Sequence, residues 1–142
     1  MSAEKTGDIQ PVAMGIFTLP PYDGMQPELL GGFCQMCKAH YFPMSKYCPR
    51  CLGLLEESRL GSEGTIYSFT VIRKRAPLGL PEPYSIGYID LSKEPTLRIF
   101  GLLDPKSIDR LRIGMTVKLV VEPLGHDGHG SPRLRPYFTP KF

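Results

Sequence analysis

The chain has 142 residues, a formal net charge of +3, four cysteines and no tryptophan. Its 15 glycines and 15 prolines disfavour a bundle of long helices, because proline breaks helices and glycine weakens them. Hydrophobic residues make up 42% of the chain, which excludes a disordered polar chain, and so small a net charge does not by itself indicate a nucleic-acid-binding protein.

Residues 1–30 are predicted to form an N-terminal arm that is loose or depends on a partner, polar at first and then rich in proline around Pro20 and Pro21. The segment lacks the basic stretch leading into an apolar run that marks a secretory signal peptide. No stretch of the chain approaches the roughly 18 apolar residues of a membrane-spanning helix. We therefore expect a cytoplasmic protein without a membrane contact, in a compartment where thiols stay reduced.

Residues 31–55 carry two Cys-x-x-Cys pairs and are predicted to form a rubredoxin-like zinc ribbon. Cys34 and Cys37 form the first pair, and Cys48 and Cys51 follow after ten intervening residues. Each pair can form a turn that directs two thiolates to one point, and two such turns supply the tetrahedral four-sulfur set that zinc prefers. Iron or an iron–sulfur cluster and disulfide bonds are the alternatives. Because four cysteines leave no open coordination position, the metal is expected to be structural.

Residues 62–142 have the composition of a β-barrel. Five segments rich in β-branched and aromatic residues are predicted to be strands. They are Thr65–Ile72, Tyr84–Leu91, Thr96–Leu103, Met115–Glu122 and Arg133–Thr139. Between the third and fourth segments, Asp104 can cap a short helical turn that runs to Arg112. This order of elements predicts a mainly β protein whose second part is a five-stranded OB-fold barrel.

The sequence shows no catalytic machinery, and no catalytic residue is predicted. All cysteines are assigned to the metal site, and the chain has no nucleophile elbow, phosphate-binding loop or dinucleotide-binding glycine motif. His126 and His129 flank Asp127 in a glycine-rich loop that is expected to be flexible. That loop is a solvated connection, a contact for a partner or ligand, or a stand-alone acid–base site. His40 is expected to be a partly exposed hairpin residue rather than a metal ligand.

A basic cluster, Arg73-Lys74-Arg75, follows the first predicted barrel strand. Side chains alternate along a strand, which places several aromatic and basic side chains on one face. These side chains are Tyr67, Phe69, Val71, Arg73 and Arg75. Such a face can bind the phosphates of a nucleotide or coenzyme A, or single-stranded nucleic acid; otherwise it is core followed by a solvated strand end. Arg133 and Arg135 are expected near the cluster.

Two series of motifs resemble a known family. In the cysteine module the series reads Gly31-Gly32-Phe33-Cys34-x-x-Cys37, Tyr41-Phe42-Pro43 and Tyr47-Cys48-Pro49-x-Cys51. In the barrel it comprises Gly64 to Val71, Pro83 to Leu91, Asp109 to Val117 and Arg135-Pro136-Tyr137-Phe138. In this order the two series resemble the zinc-ribbon plus OB-fold accessory proteins associated with thiolases and other acyl-CoA enzymes. Many members of that family carry glycine soon after the first cysteine pair, where this chain has Lys38-Ala39-His40.

The resemblance implies a non-catalytic accessory subunit of a thiolase-type acyl-CoA acyltransferase complex. A thiolase-fold catalytic subunit would supply the nucleophilic cysteine and the acid–base histidines, and this chain would scaffold it in a hetero-oligomer. The four cysteines would hold structural Zn²⁺, and Arg73, Lys74 and Arg75 would help to bind coenzyme A or acyl-CoA. The alternative is a single-stranded nucleic-acid-binding zinc-ribbon and OB-fold protein. The acidic residues Glu82, Asp90 and Glu94, which lie near the proposed face, argue against that alternative.

Overall fold

A three-stranded antiparallel sheet begins the computed structural model, which describes residues 9–20, 22, 24–94 and 97–141. Its central strand is β1 (Leu29–Cys34), flanked by β2 (Ala39–Tyr41) and β3 (Glu56–Gly61). The strands approach closely at Gly31, where an added Cβ atom would lie 2.4 Å from the Tyr41 carbonyl oxygen. Glycine at this position therefore allows β1 to fit between its neighbours.

Five further strands close into a barrel in the order β4-β5-β6-β8-β7. They are β4 (Glu63–Ile72), β5 (Tyr84–Leu91), β6 (Arg98–Leu103), β7 (Thr116–His126) and β8 (Pro132–Pro140). Closure depends on a parallel contact between Leu103 of β6 and Phe138 of β8, whereas the other neighbours are antiparallel. The predicted mainly β fold with a five-stranded OB-fold barrel is confirmed.

One hydrophobic core joins the barrel to the three-stranded sheet. Residues at alternate positions of the barrel strands point inward, and their side chains are almost entirely buried. Among them are Ile66, Ile89, Leu91, Val117 and Leu119. Leu29 of β1 and Leu60 of β3 belong to the same cluster of buried side chains. The sheet that carries the cysteines is therefore continuous in packing with the barrel.

Residues 9–20 pack against both sheets, so the prediction of a loose arm is wrong for this segment. Phe17 is only 2% exposed and belongs to the shared core. The backbone is also paired, since the Leu30 N–H donates to the Ile16 carbonyl at 2.9 Å and the Val12 N–H donates to Leu134 at 2.8 Å. Residues 1–8 of the predicted arm lie outside the described residues.

The connection between β6 and β7 is less helical than predicted. Its helical part is a single 3₁₀ turn over Ile108–Arg110. Asp104 caps a preceding tight turn instead, because its Oδ1 accepts a hydrogen bond from the Lys106 N–H at 2.9 Å. Its Oδ2 accepts a second bond from the Thr139 hydroxyl at 2.7 Å, which fixes this turn to β8. The predicted start of the third barrel strand at Thr96 lies outside the described residues, and β6 begins at Arg98.

No helix within the described ranges is long and apolar enough to cross a membrane.

Candidate functional site

The four cysteines converge at one end of the three-stranded sheet. Cys34 ends β1 and Cys37 lies in the turn to β2, whereas Cys48 and Cys51 lie in the loop between β2 and β3. The sulfur atoms of Cys34 and Cys51 are 3.5 Å apart, those of Cys37 and Cys48 are 3.9 Å apart, and all four lie within 4.8 Å of one another. A tetrahedral site with zinc–sulfur bonds of about 2.3 Å places its sulfur atoms about 3.8 Å apart. The cluster is therefore compatible with structural zinc.

The two cysteine pairs form turns with the same internal hydrogen bonds. The Lys38 N–H donates to the Cys34 carbonyl at 2.8 Å, and the Leu52 N–H donates to the Cys48 carbonyl at 2.9 Å. Further backbone N–H groups point at the sulfur atoms, among them Cys37 N–H at 3.3 Å from Cys34 Sγ. Donors of this kind stabilise thiolates and orient metal ligands.

The arrangement of the thiols favours a cation at their centre. Burial acts to raise the pKa of the Cys48 thiol, but hydrogen bonds from backbone groups and the hydrogen bond with the Tyr41 hydroxyl outweigh burial and lower that pKa to about 6. The hydrogen bond with Cys51, together with burial, raises the pKa of the Cys37 thiol to about 12. Coordination to a metal ion deprotonates a thiol. Four thiolates this close repel one another, and a metal ion at their centre compensates that negative charge.

Each cysteine turn ends on a residue with positive φ that is not glycine. Lys38 has a φ of 56° and Leu52 a φ of 63°, in the left-handed region that strains side chains with a Cβ atom. Lys38 is the first of the three residues Lys38-Ala39-His40 at which the resemblance implies a glycine. The turn geometry is thus retained without the glycine.

Replacing Leu52 by glycine is expected to stabilise the zinc-loaded protein by about 0.5 kcal/mol, because relief of left-handed strain exceeds the entropic cost of glycine. Leu52 is 73% exposed, so little burial is lost. Urea denaturation of the zinc-loaded chain measures the change. Leu54→Gly is the matched control: Leu54 is 66% exposed and does not have a positive φ, so this substitution should destabilise. A loss of stability in Leu52→Gly equal to that of the control would contradict the strain argument.

His40 lies outside the sulfur cluster. It links the three-stranded sheet β2-β1-β3, hereafter the ribbon sheet, to the barrel. Its Nδ1 is 3.1 Å from the Ser58 hydroxyl, and its Nε2 is 3.3 Å from the Glu94 carboxylate. Both ring nitrogens are therefore engaged with partners other than sulfur.

The basic cluster Arg73-Lys74-Arg75 follows β4 and leads into a proline-rich loop. The Arg73, Lys74 and Arg75 side chains are all exposed. The loop is attached to the barrel, since the His126 N–H donates to the Leu78 carbonyl at 2.8 Å. Across the described part of the chain, none of the three basic side chains forms an ion pair. Their charges are available to an anion.

The predicted common face of Tyr67 and Phe69 is wrong, because β4 contains a bulge. Ile66 pairs with Ile89 and Ser68 pairs with Tyr88, so Tyr67 is an extra residue between them. Tyr67 is 50% exposed, whereas Phe69 packs against the core. The sequence reasoning also missed Tyr88 of β5 and Phe100 of β6, which are exposed beside Tyr67. Side chains alternate between the two faces along β5 and β6, and applying this pattern to those strands would have identified both residues.

Arg133 and Arg135 are engaged within the β7–β8 hairpin rather than free. Arg133 forms an ion pair of 2.8 Å with Asp127. Arg135 is 9% exposed and donates from Nη1 to the Leu124 carbonyl at 2.7 Å. The guanidinium groups of both residues are therefore engaged by the hairpin itself.

Asp127 orders the loop that was predicted to be flexible. Its carboxylate accepts hydrogen bonds from the backbone N–H groups of His129 and Ser131 and from the Arg133 side chain. His126 lies in β7, and its Nδ1 is 2.7 Å from the Asp127 carbonyl. These contacts hold the hairpin tip together and do not assemble an acid–base pair from the two histidines.

The Asp127 carboxyl is expected to stay ionised at pH 3. Hydrogen bonds from Ser131 N–H, the Arg133 side chain and His129 N–H lower its pKa from 3.8 to about 2. Because the pKa is lower in the folded state, the hairpin tip is stabilised above about pH 4, and this contribution is lost as the pH falls through 2. The carboxyl ¹³C shift measures the titration, and Arg133→Met should raise the midpoint. A midpoint near 4 in the unmodified chain would contradict the assigned contacts.

The barrel and the cysteine cluster together define a small OB-fold protein with a ribbon able to hold a structural metal. Comparison with known proteins refines this class. Residues 57–122 match the family described as the ChsH2, C-terminal OB-fold domain. The solved structure of Ltp2-ChsH2(DUF35) aldolase has a chain of the same fold, with a TM-score of 0.62 and 24% identity over 80% of this chain and 84% of that chain.

A curated relative adds sequence similarity to the likeness in fold. The chain is 40% identical over 85 residues to benzoylsuccinyl-CoA thiolase subunit BbsA of Thauera aromatica. The aligned segment covers 59% of this chain and 57% of that protein, a little more than half of its length. The sequence motifs also resemble the small subunit of benzoylsuccinyl-CoA thiolase. The predicted resemblance to zinc-ribbon and OB-fold accessory proteins is thus confirmed.

Proposed function

We propose that the chain is a non-catalytic accessory subunit of a thiolase-type acyl-CoA acyltransferase complex in the cytoplasm. The observation that carries this proposal is the 40% identity over 85 residues to a subunit of benzoylsuccinyl-CoA thiolase. The structural likeness to a chain of an aldolase complex supports the same fold. In this role the chain scaffolds a thiolase-fold catalytic subunit within a hetero-oligomer.

The thiol chemistry of the chain supports a non-catalytic role. Thiolase chemistry needs a nucleophilic cysteine, and the thiols of this chain face one another in a single cluster. Zinc bound by Cys34, Cys37, Cys48 and Cys51 would consume all of them and leave no open position for substrate. The catalytic cysteine would then come from the partner. In this proposal residues 31–55 are the zinc ribbon and residues 62–142 the OB-fold barrel, as the sequence predicts.

Coenzyme A is proposed to contact this subunit through the basic cluster. Arg73, Lys74 and Arg75 carry three positive charges without an ion-pair partner among the described residues. Guanidinium and ammonium groups form strong charge-assisted hydrogen bonds with phosphates. The hydrogen bond between His126 and Leu78 restricts the loop that follows them, which lowers the entropic cost of binding an anion.

Co-expression with thiolase-fold chains from the same genome tests the proposed assembly. We expect this chain to co-elute with one of them at a fixed stoichiometry during size-exclusion chromatography. As a control, the affinity tag without this chain should not co-elute with the catalytic chain. Recovery of this chain as a monomer beside every thiolase-fold chain tested would contradict the proposal.

A single-stranded nucleic-acid-binding protein is the second candidate. The exposed aromatic side chains Tyr67, Tyr88 and Phe100 favour it, because bases stack on such residues in OB-fold proteins. It predicts binding to single strands that weakens steeply with added salt.

A further inference from the structure

Three aromatic side chains are exposed together on the outer face of β4, β5 and β6. Tyr67 is 50% exposed, Tyr88 46% and Phe100 56%. The Tyr88 and Phe100 rings pack edge to face with their centroids 5.4 Å apart. The Arg98 guanidinium lies 3.4 Å from the centroid of the Tyr67 ring. These contacts fix the rings in place while leaving much of their surface open.

A depression in this face has the chemistry to accept a flat ring. Its volume is about 180 Å³, and its lining includes Ser68, Thr70, Ile86, Tyr88 and Phe100. Aromatic and aliphatic carbon dominates the walls, and Ser68 and Thr70 of β4 contribute hydroxyl groups. Exposed aromatic rings beside such a depression can stack a planar heterocycle. In OB-fold proteins this position, on the second and third barrel strands, is a frequent ligand-binding face.

The acidic residues near this face do not oppose an anion as their sequence positions suggest. Asp90 accepts two hydrogen bonds from Arg98, at 2.6 and 3.2 Å. Glu82 accepts a hydrogen bond from the Ala76 N–H at 2.8 Å, and Glu94 lies 3.3 Å from His40 Nε2. The Asp90 charge is thus compensated by Arg98, and Glu82 and Glu94 each contact a polar group of the chain itself.

Free positive charge lies at the end of the same strand. Thr70 lines the depression, and Arg73 follows it by three residues, which is about 10 Å of extended strand. The Arg73 and Lys74 side chains are long enough to span part of that distance. A ligand with a flat ring in the depression can therefore place a phosphate group within their reach.

We propose that this face binds an adenine nucleotide, with the purine stacked against Tyr88 and Phe100 and the phosphates directed to Arg73 and Lys74. The inference rests on the proposed function in one respect: it identifies the nucleotide as the adenosine 3′,5′-bisphosphate end of coenzyme A. A base in single-stranded nucleic acid offers the same stacking chemistry, and the experiment distinguishes the two sources.

Titrations of the full zinc-loaded chain test the inference. The probes are coenzyme A, adenosine 3′,5′-bisphosphate, pantetheine and a single-stranded oligodeoxyadenylate. Binding is followed by calorimetry and by the fluorescence of the tyrosines, since the chain has no tryptophan. Coenzyme A and the bisphosphate are expected to bind with similar affinity, and pantetheine is expected not to bind. Equal binding of pantetheine and coenzyme A, or binding of the oligonucleotide alone, would overturn the inference.

Substitutions locate the binding face. Phe100→Ala is expected to weaken coenzyme A binding roughly 5- to 150-fold, the range found for loss of one stacked base contact, whereas Phe100→Tyr should retain binding. Tyr47→Ala is the matched control, because Tyr47 is also 50% exposed but lies in the ribbon, and it should change affinity less than about twofold by the same reasoning. Equal effects of Phe100→Ala and Tyr47→Ala would overturn the assignment.

The same preparations separate this inference from the proposed function. Phe100→Ala is also tested for co-elution with the thiolase-fold chain that binds the unmodified protein. Co-elution of the unmodified chain without nucleotide binding would overturn the inference alone. Nucleotide binding without co-elution with any thiolase-fold chain would overturn the proposed function alone.

Discussion

Replacing Cys48 by serine is expected to abolish zinc binding and to unfold the ribbon sheet. Cys48 is fully buried and its sulfur lies 3.9 Å from that of Cys37, so serine removes one of the four proposed zinc ligands. Binding of structural zinc by four such ligands contributes on the order of 10 kcal/mol or more to folding. Metal analysis of the purified chain should fall from one zinc per chain to none, and removal of zinc by a chelator should have the same effect.

The loss should extend beyond the ribbon. Leu29 and Leu60 belong to the core of the barrel as well as to the ribbon sheet, so the barrel should also lose thermal stability. Met36→Ser is the matched control, because Met36 lies between two cysteines of the same turn and is 83% exposed. That variant should keep its zinc and its stability. Full zinc content in Cys48→Ser, or equal loss in both variants, would contradict the assignment of the metal site.

Reversing the charge of Arg73 and Lys74 is expected to raise the apparent KM of the assembled complex for acyl-CoA by tenfold or more. One charge-assisted hydrogen bond is worth about 1.5–3 kcal/mol, and about 1.4 kcal/mol corresponds to a tenfold change. Because both side chains are exposed and unpaired in the described structure, the double substitution to glutamate should leave the fold intact. Steady-state kinetics of the complex measures the effect.

A second pair of basic residues provides the control for net charge. Lys106 and Arg112 are also exposed, and their replacement by glutamate changes the net charge by the same amount. The control variant should keep the KM of the unmodified complex, and both variants should keep their zinc. An unchanged KM after reversal of Arg73 and Lys74, an equal rise in the control, or loss of zinc would show that the basic cluster does not bind the phosphates.

Local patterns in the sequence were sufficient to predict the main elements. The Cys-x-x-Cys spacing placed four thiols at one point, and β-branched segments marked the five barrel strands, with Tyr84–Leu91 found within its predicted bounds. These features depend on residues close in the chain. The turn after Cys37 also forms without glycine, because Lys38 adopts a positive φ.

Features set by distant parts of the chain could not be predicted in this way. The bulge at Tyr67 depends on how β4 pairs with β5, and it moves the aromatic ring to the outer face. The burial of Phe17 depends on contacts with the ribbon sheet. Arg98 compensates Asp90 across neighbouring strands, so the charge of the candidate ligand face is more favourable to anions than the order of residues suggests.

Reconstitution of acyl-CoA cleavage tests the accessory role most directly. The zinc-loaded chain, its co-eluting thiolase-fold partner and the mixture of both are assayed for thiolytic cleavage of a matching acyl-CoA at equal concentrations. We predict no turnover by this chain alone and full turnover only by the mixture, with the nucleophilic cysteine labelled by an acyl group in the partner. Turnover by this chain without a partner, or acylation of one of its own cysteines during turnover, would contradict the account.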